Sequence, residues 1–158
     1  MIKVVEGDLV NSKYDIFCHQ VNCRGAMGSG IAKQIRDKYP EVYDRYRKAI
    51  DSFRSFGEKP LGHAVAVPTH DDRFCVNLFA QDGYGRDKQY TDYNAFNKCL
   101  EELAMELETA DPKYVVAFPY GIGCGLAGGD WHVISLLLKN FAASIKQEVV
   151  VVKWQKQN

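Results

Sequence analysis

Asp8, His19, Asn22, Cys124 and Asp130 are the side chains whose types and settings offer chemistry, and each stands close to a glycine or to the end of an apolar run. The amide of Asn22, at the start of a loop, suits holding a hydroxyl group; its bland reading is a satisfied loop residue. His19 has an ordinary pKa near neutrality, which suits proton transfer. It also lies inside a buried-looking run, where a core histidine bonded to backbone is the slightly preferred reading. Asp130 follows two glycines and precedes an expected helix, so it reads as a base or as a helix N-cap. A thiol between glycines near a helix start, as at Cys124, would ionise more readily and act as a nucleophile. A small side chain required in a tight loop is the preferred reading there, because no His or Asn partner is identifiable nearby.

Two glycine clusters give these residues a common setting. The first runs Gly25-Ala26-Met27-Gly28-Ser29-Gly30, and the second runs Gly121-Ile122-Gly123-Cys124-Gly125-Leu126-Ala127-Gly128-Gly129. Each lies where a short apolar run gives way to helical spacing. Glycine admits positive φ and close approach, so such a turn can aim several N–H groups at one anion, reinforced by the positive end of the helix that follows. Two turns of this kind imply a ligand with two phosphates. Neither has the Gly-Lys-Ser/Thr ending of a P-loop, and neither has the Gly-x-Gly-x-x-Gly spacing with an acidic residue about twenty positions on. An ATPase is thereby excluded and a nicotinamide dehydrogenase disfavoured.

The elements that must position these loops are read from periodicity. Ile2–Val5, Ile16–Val21, Ala64–Val67, Phe74–Phe79, Tyr114–Phe118 and Val149–Trp154 read as strands, the second apolar on both faces as in a helix-covered sheet. Ile31–Tyr39, about Glu41–Phe53, a helix capped by Thr91 and running to about Leu107, and Trp131–Ile145 read as helices, with Pro40 ending the first or starting the second. Asp71-Asp72 marks a hairpin turn. Gln81–Tyr90 is a polar loop whose Gly83, Tyr84 and Gly85 make it a candidate lid. Strands alternating with helices predict a three-layer α/β/α domain with a mixed, mostly parallel sheet, its ligand crevice beyond the carboxyl ends of the strands.

Bulk composition narrows the partners. The 158 residues, 46% hydrophobic and 25% charged, fit one globular domain over residues 1–158. Twenty basic residues balance twenty acidic ones, so there is no overall field for a nucleic-acid backbone, and any phosphate must be gripped locally. No run approaches a membrane span. Five cysteines lack a Cys-x-x-Cys pair and the four histidines show no zinc spacing with them. Reduced thiols, no metal, no cofactor and a cytoplasmic monomer are the expectations.

Glu6-Gly7-Asp8-Leu9, then His19-Gln20-Val21-Asn22 leading into Gly28-Ser29-Gly30-Ile31-Ala32, then Gly121-Ile122-Gly123-Cys124-Gly125-Leu126 together resemble the macrodomains, which bind ADP-ribose. The resemblance spans essentially the whole chain. Gly125-Leu126-Ala127-Gly128-Gly129-Asp130-Trp131 is similar to the branch containing ADP-ribose-1″-phosphate phosphatases and terminal ADP-ribose glycohydrolases. It implies that Asp8, beside Leu9, accepts a hydrogen bond from the adenine amino group and that Trp154 stacks on adenine. It also implies that Met27 to Ile31 hold one phosphate, that Gly121 to Leu126 hold the other, and that Asn22 holds the distal ribose. The glycohydrolases of this branch use a lysine after the fourth strand and an aspartate directly after Gly-Cys-Gly-Leu. Here Asn77-Leu78-Phe79-Ala80-Gln81 offers no lysine and Ala127 follows Leu126; Lys88 and Asp130 lie further on.

Three functions follow as expectations. The leading one is hydrolysis at the distal ribose of ADP-ribose-1″-phosphate or of an ADP-ribosyl ester, with water activated by His19 or Asp130. The second is a reader that binds ADP-ribose, on a modified protein or nucleic-acid end, without chemistry. The third is a hydrolase built on Cys124.

Overall fold

A computed structural model describes residues 2–155, and the first and last residues of the 1–158 span lie outside it. The chain order is β1 (Ile2–Gly7), β2 (Ile16–Asn22), α1 (Gly30–Lys38), α2 (Pro40–Ser55), β3 (Ala64–Pro68), β4 (Phe74–Gln81), α3 (Tyr93–Leu107), β5 (Val115–Pro119), α4 (Trp131–Ser144) and β6 (Glu148–Trp154). The strands form one sheet in the order β1-β6-β5-β2-β4-β3. Every pairing is parallel except β3 with β4, the expected hairpin. Helices α1 and α2 bury Ile35, Val42 and Tyr46 against one face, and α3 and α4 bury Phe96, Leu103, Ile134 and Leu138 against the other. This is the three-layer α/β/α arrangement that the alternation of elements predicted.

Local chemistry sets the boundaries. Tyr39 ends α1 and precedes Pro40, and its φ of −126° and ψ of 73° take it out of the helical region that a following proline disfavours. Pro40 then opens α2, where a missing N–H costs nothing. The cap of α3 falls one residue later than the sequence suggests: Asp92, not Thr91, accepts from the Ala95 N–H at 3.0 Å. The Thr91 hydroxyl instead donates to the Gly123 carbonyl at 2.6 Å, and tertiary contact overrides a good local cap.

Central β2 is buried on both faces, with β4 on one side and β5 on the other. Its register with β4 shifts between Val21 and Asn22, so that Val21 faces Phe79 but Asn22 faces Gln81. The extra residue, Ala80, belongs to β4, and the shift leaves Asn22, the last residue of β2, opposite Gln81 at the carboxyl edge of the sheet.

Candidate functional site

The carboxyl ends of β1, β6, β5, β2 and β4 open onto a single cleft of about 900 Å³. Both glycine clusters wall it, which is where the strand-to-helix transitions placed them. Asp8, Leu9, Asn22, Gly28, Ser29, Gly30, Ile31, Gly121, Ile122, Gly123, Gly125, Leu126 and Trp154 all line it. Met27, Cys124, His19 and Asp130 do not.

The first wall is built on Asn22. Its Oδ1 accepts from Arg24 N at 2.9 Å and Ala26 N at 3.3 Å, while its Nδ2 donates to the Ala26 carbonyl at 2.8 Å. The Tyr46 hydroxyl lies 2.6 Å from the Asn22 carbonyl and 2.8 Å from Oδ1, and accepts from Gly25 N at 3.1 Å. Burial pushes this phenol well up, so it stays a proton donor. One Nδ2 proton of Asn22 is left for a ligand. Met27 is only 1% exposed and packs against Ile35, Val42 and Tyr46, so it anchors the loop rather than contacting a ligand. Its long apolar side chain fills the core beneath a turn of small residues.

Beyond Met27 the backbone amides lack partners among the described residues. Ser29 caps α1 with no side-chain bond, and Gly30 takes φ +57°. The N–H groups of residues 28–32 donate to no group among the described residues. The second wall is a set of tight turns in which Ile122, Cys124, Gly128 and Gly129 donate to Pro119, Gly121, Gly125 and Gly123. Gly123, Gly125 and Leu126 are left without an acceptor among the described residues. Gly123 has φ +74°, and a Cβ there would stand 2.7 Å from Gln20 Oε1. A side chain there would be strained at that φ and would have to displace the Gln20 amide. Two runs of free amides, one at a helix start, thus face a common space, the arrangement that holds a pair of anionic groups.

The two ends of the cleft differ. Parallel pairing of Gly7 with Trp154 sets Asp8 and the 63% exposed Trp154 side by side at the β1–β6 end, over buried Leu9 and Val10. At the β4 end stand Gln20, Gln81, Tyr84, Gly85 and Arg86. Gln20 Nε2 donates to Gln81 Oε1 and Thr91 Oγ1, both at 2.9 Å, tying the lid segment to the second glycine loop. The amides of Tyr90 and Thr91 complete that tie by donating to the Ala127 carbonyl. Gln20, Gln81, Arg86 and Tyr120 escaped the reading of the sequence. The strand-end position of Gln20, next to Val21-Asn22, was a signal that could have marked it.

Placement decides between the chemical and the structural readings of three side chains, each time for the structural one. His19 is fully buried and opposes Asn77 in the β2–β4 register, with Nε2 2.6 Å from Asn77 Oδ1. It lies three residues below the end of its strand, about 10 Å from the edge. Burial draws its pKa down to about 4, so it is neutral and out of reach of the cleft. Asp130 caps α4, its Oδ1 accepting from His132 N at 2.8 Å and its N–H donating to the Tyr93 hydroxyl at 2.9 Å, and it does not line the cleft. The Cys124 thiol packs against the α3–α4 core, and burial followed by the Asp130 charge raises its pKa, the opposite of what a nucleophile needs. Lys88 lies over the Tyr90 ring at 5.1 Å and does not line the cleft. Among the described residues no group of His, Cys, Asp and Glu could hold a metal.

The family model described as Macro domain matches residues 18–135. The chain belongs to that family. This macrodomain is 29% identical over 168 residues to an ADP-ribose 1″-phosphate phosphatase of Debaryomyces hansenii, covering 89% of this chain and 94% of the relative. It is 30% identical over 135 residues to a DNA ADP-ribosyl glycohydrolase of Mycobacterium tuberculosis, covering 84% of this chain and 36% of that protein. The solved macrodomain of Mycobacterium tuberculosis DarG superposes with a TM-score of 0.78 at 26% identity, over 99% of each chain.

Proposed function

We propose that this macrodomain, a single domain over residues 1–158, binds ADP-ribose and hydrolyses a bond at its distal ribose. The bond is the phosphate monoester of ADP-ribose-1″-phosphate or an ADP-ribosyl ester. The observation that carries the reading is the pair of free amide runs, residues 28–32 and Gly123, Gly125 and Leu126, on opposite walls of one cleft. A diphosphate between them leaves adenine toward Asp8 and Trp154 and the distal ribose toward Asn22 and Gln81. The phosphatase and glycohydrolase names of the relatives support hydrolysis. Water is the nucleophile. For a phosphate monoester the loose transition state leaves the protein chiefly to position groups and to stabilise charge, which amides and the spare Nδ2 proton of Asn22 can do. The lysine route of the related glycohydrolases has no lysine in the cleft.

One observation favours the second reading, a non-catalytic reader of ADP-ribose on a modified protein or nucleic-acid end. Among the described residues, Asp8 is the only carboxylate lining the cleft, and no His, Lys or Cys lines it. A phosphorus NMR time course with ADP-ribose-1″-phosphate separates the two. Growth of free phosphate, lost in Asn22→Ala and kept in Asp130→Ala, is the result expected of the hydrolase. Shifted diphosphate signals without phosphate release make the protein a reader, or a hydrolase of a different ADP-ribosyl bond. We further propose that it acts as a cytoplasmic monomer. Its five cysteines are free and no described helix is long and apolar enough to cross a membrane. Elution at 17.9 kDa in size-exclusion chromatography is the check.

A further inference from the structure

The floor of the cleft at the β1–β6 end is the stretch between β1 and β2, which carries Asp8 at its start and buries Leu9 and Val10. Buried carbonyls need donors. One side chain reaches three of them, beside Lys38 Nζ on the Val10 carbonyl and Ser12 on the Leu9 carbonyl. Arg73, 6% exposed and just ahead of β4, donates through Nε to the Tyr14 carbonyl at 2.8 Å. Its Nη1 donates to the Val10 carbonyl at 2.8 Å and the Tyr39 hydroxyl at 3.0 Å, and its Nη2 to the Leu9 carbonyl at 3.1 Å and Ser12 Oγ at 3.0 Å. All the N–H groups a guanidinium owns are used. Its plane lies over the Phe17 ring, 4.1 Å from the centroid.

The clamp is itself held. The Tyr39 hydroxyl donates to Asp71 Oδ2 at 2.7 Å, and Asp71 Oδ1 accepts from Thr69 Oγ1 at 2.6 Å, which closes the β3–β4 turn around Arg73. Asp71 thus balances the guanidinium through a phenol, leaving all its protons on the loop and on Tyr39. Arg73 does not line the cleft. A lysine, with three rotatable donors, cannot reproduce this planar fork.

We propose that Arg73 is a positioning residue for base recognition, fixing from behind the loop the place at which the Asp8 carboxylate meets the ligand's base. This rests on the reading of the cleft as an ADP-ribose site with adenine at Asp8. A carboxylate accepts from the adenine amino group and is repelled by the carbonyl that replaces it in hypoxanthine. A displaced Asp8 loses that distinction.

The experiment is calorimetric titration of the full chain with ADP-ribose and with its hypoxanthine analogue. The wild type is expected to prefer ADP-ribose by about tenfold or more, the discrimination that a hydrogen bond to a charged group supplies. Arg73→Lys and Arg73→Gln are expected to cut the preference at least threefold. A role confined to stability lowers the competent fraction for both ligands alike and leaves the ratio intact, so an unchanged ratio in these variants overturns the inference. Should the Arg73 variants fail to fold, Tyr39→Phe, which removes one acceptor of the clamp and its link to Asp71, is read the same way. A wild type that binds ADP-ribose without preferring adenine overturns the inference alone, whereas one that binds neither ligand overturns the proposed function with it.

Discussion

Asn22 shapes the first wall and lines the cleft with the same side chain, so its truncation should be felt in both. Removing Oδ1 leaves the Arg24 and Ala26 amides without their acceptor. Asn22→Ala is expected to cost about 1–3 kcal/mol in urea unfolding and at least tenfold in ADP-ribose affinity by calorimetry; stability loss with unchanged affinity would confine the residue to the fold. His19 has a different signature. Its pKa is about 4 folded against an ordinary 6.5, so between these values the unfolded chain binds the extra proton. Stability therefore rises with pH across that window, by on the order of 3 kcal/mol in all, and the full contribution is present above it. Comparing unfolding at about pH 7 and about pH 4.5 should show a smaller difference in His19→Gln than in the wild type. An equal difference would assign the acid sensitivity to other groups.

At the scale of elements, the two glycine loops do opposite things with their helices. The first leaves the start of α1 uncapped by any side chain and open to the cleft. The second ends in Asp130, whose carboxylate closes the start of α4. One helix terminus is available for an anion and the other is already satisfied. Asp130→Ala should thus lower stability by about 1 kcal/mol, as N-cap removal does, with ADP-ribose affinity within twofold of wild type. A tenfold affinity loss without a stability loss would return Asp130 to the site. The β2–β4 register shift is the other local feature at this edge, since it brings Asn22 opposite Gln81, both of which line the cleft.

For the molecule as a whole, the cleft joins the loops that follow four strands with the end of a fifth, β6, so a ligand that fills it ties both halves of the sheet edge together. ADP-ribose at about a hundred times its Kd should stabilise the fold by about 2.7 kcal/mol, a Tm rise of about 5–10 °C for a domain of this size. A thermal-shift titration reads it, and ADP at the same concentration should give less if the distal ribose contacts Asn22. Much of this arrangement was legible in the chain. Alternating apolar runs and helical spacing predicted the elements, the Asp71-Asp72 turn predicted the hairpin, and the glycine clusters predicted the loops that wall the cleft, because backbone conformation and periodicity are local properties. The chain offered the core reading of His19, the cap reading of Asp130 and the tight-loop reading of Cys124 without deciding them, and the burial of Met27 and the clamp of Arg73 were not legible. Each depends on which segment packs behind a residue, and a one-dimensional pattern gives the face of a strand but not its register against a neighbour. The sequence by itself determined the fold class and the two glycine turns; only the tertiary structure decided which side chains reach the cleft, since burial and pairing across distant segments set that.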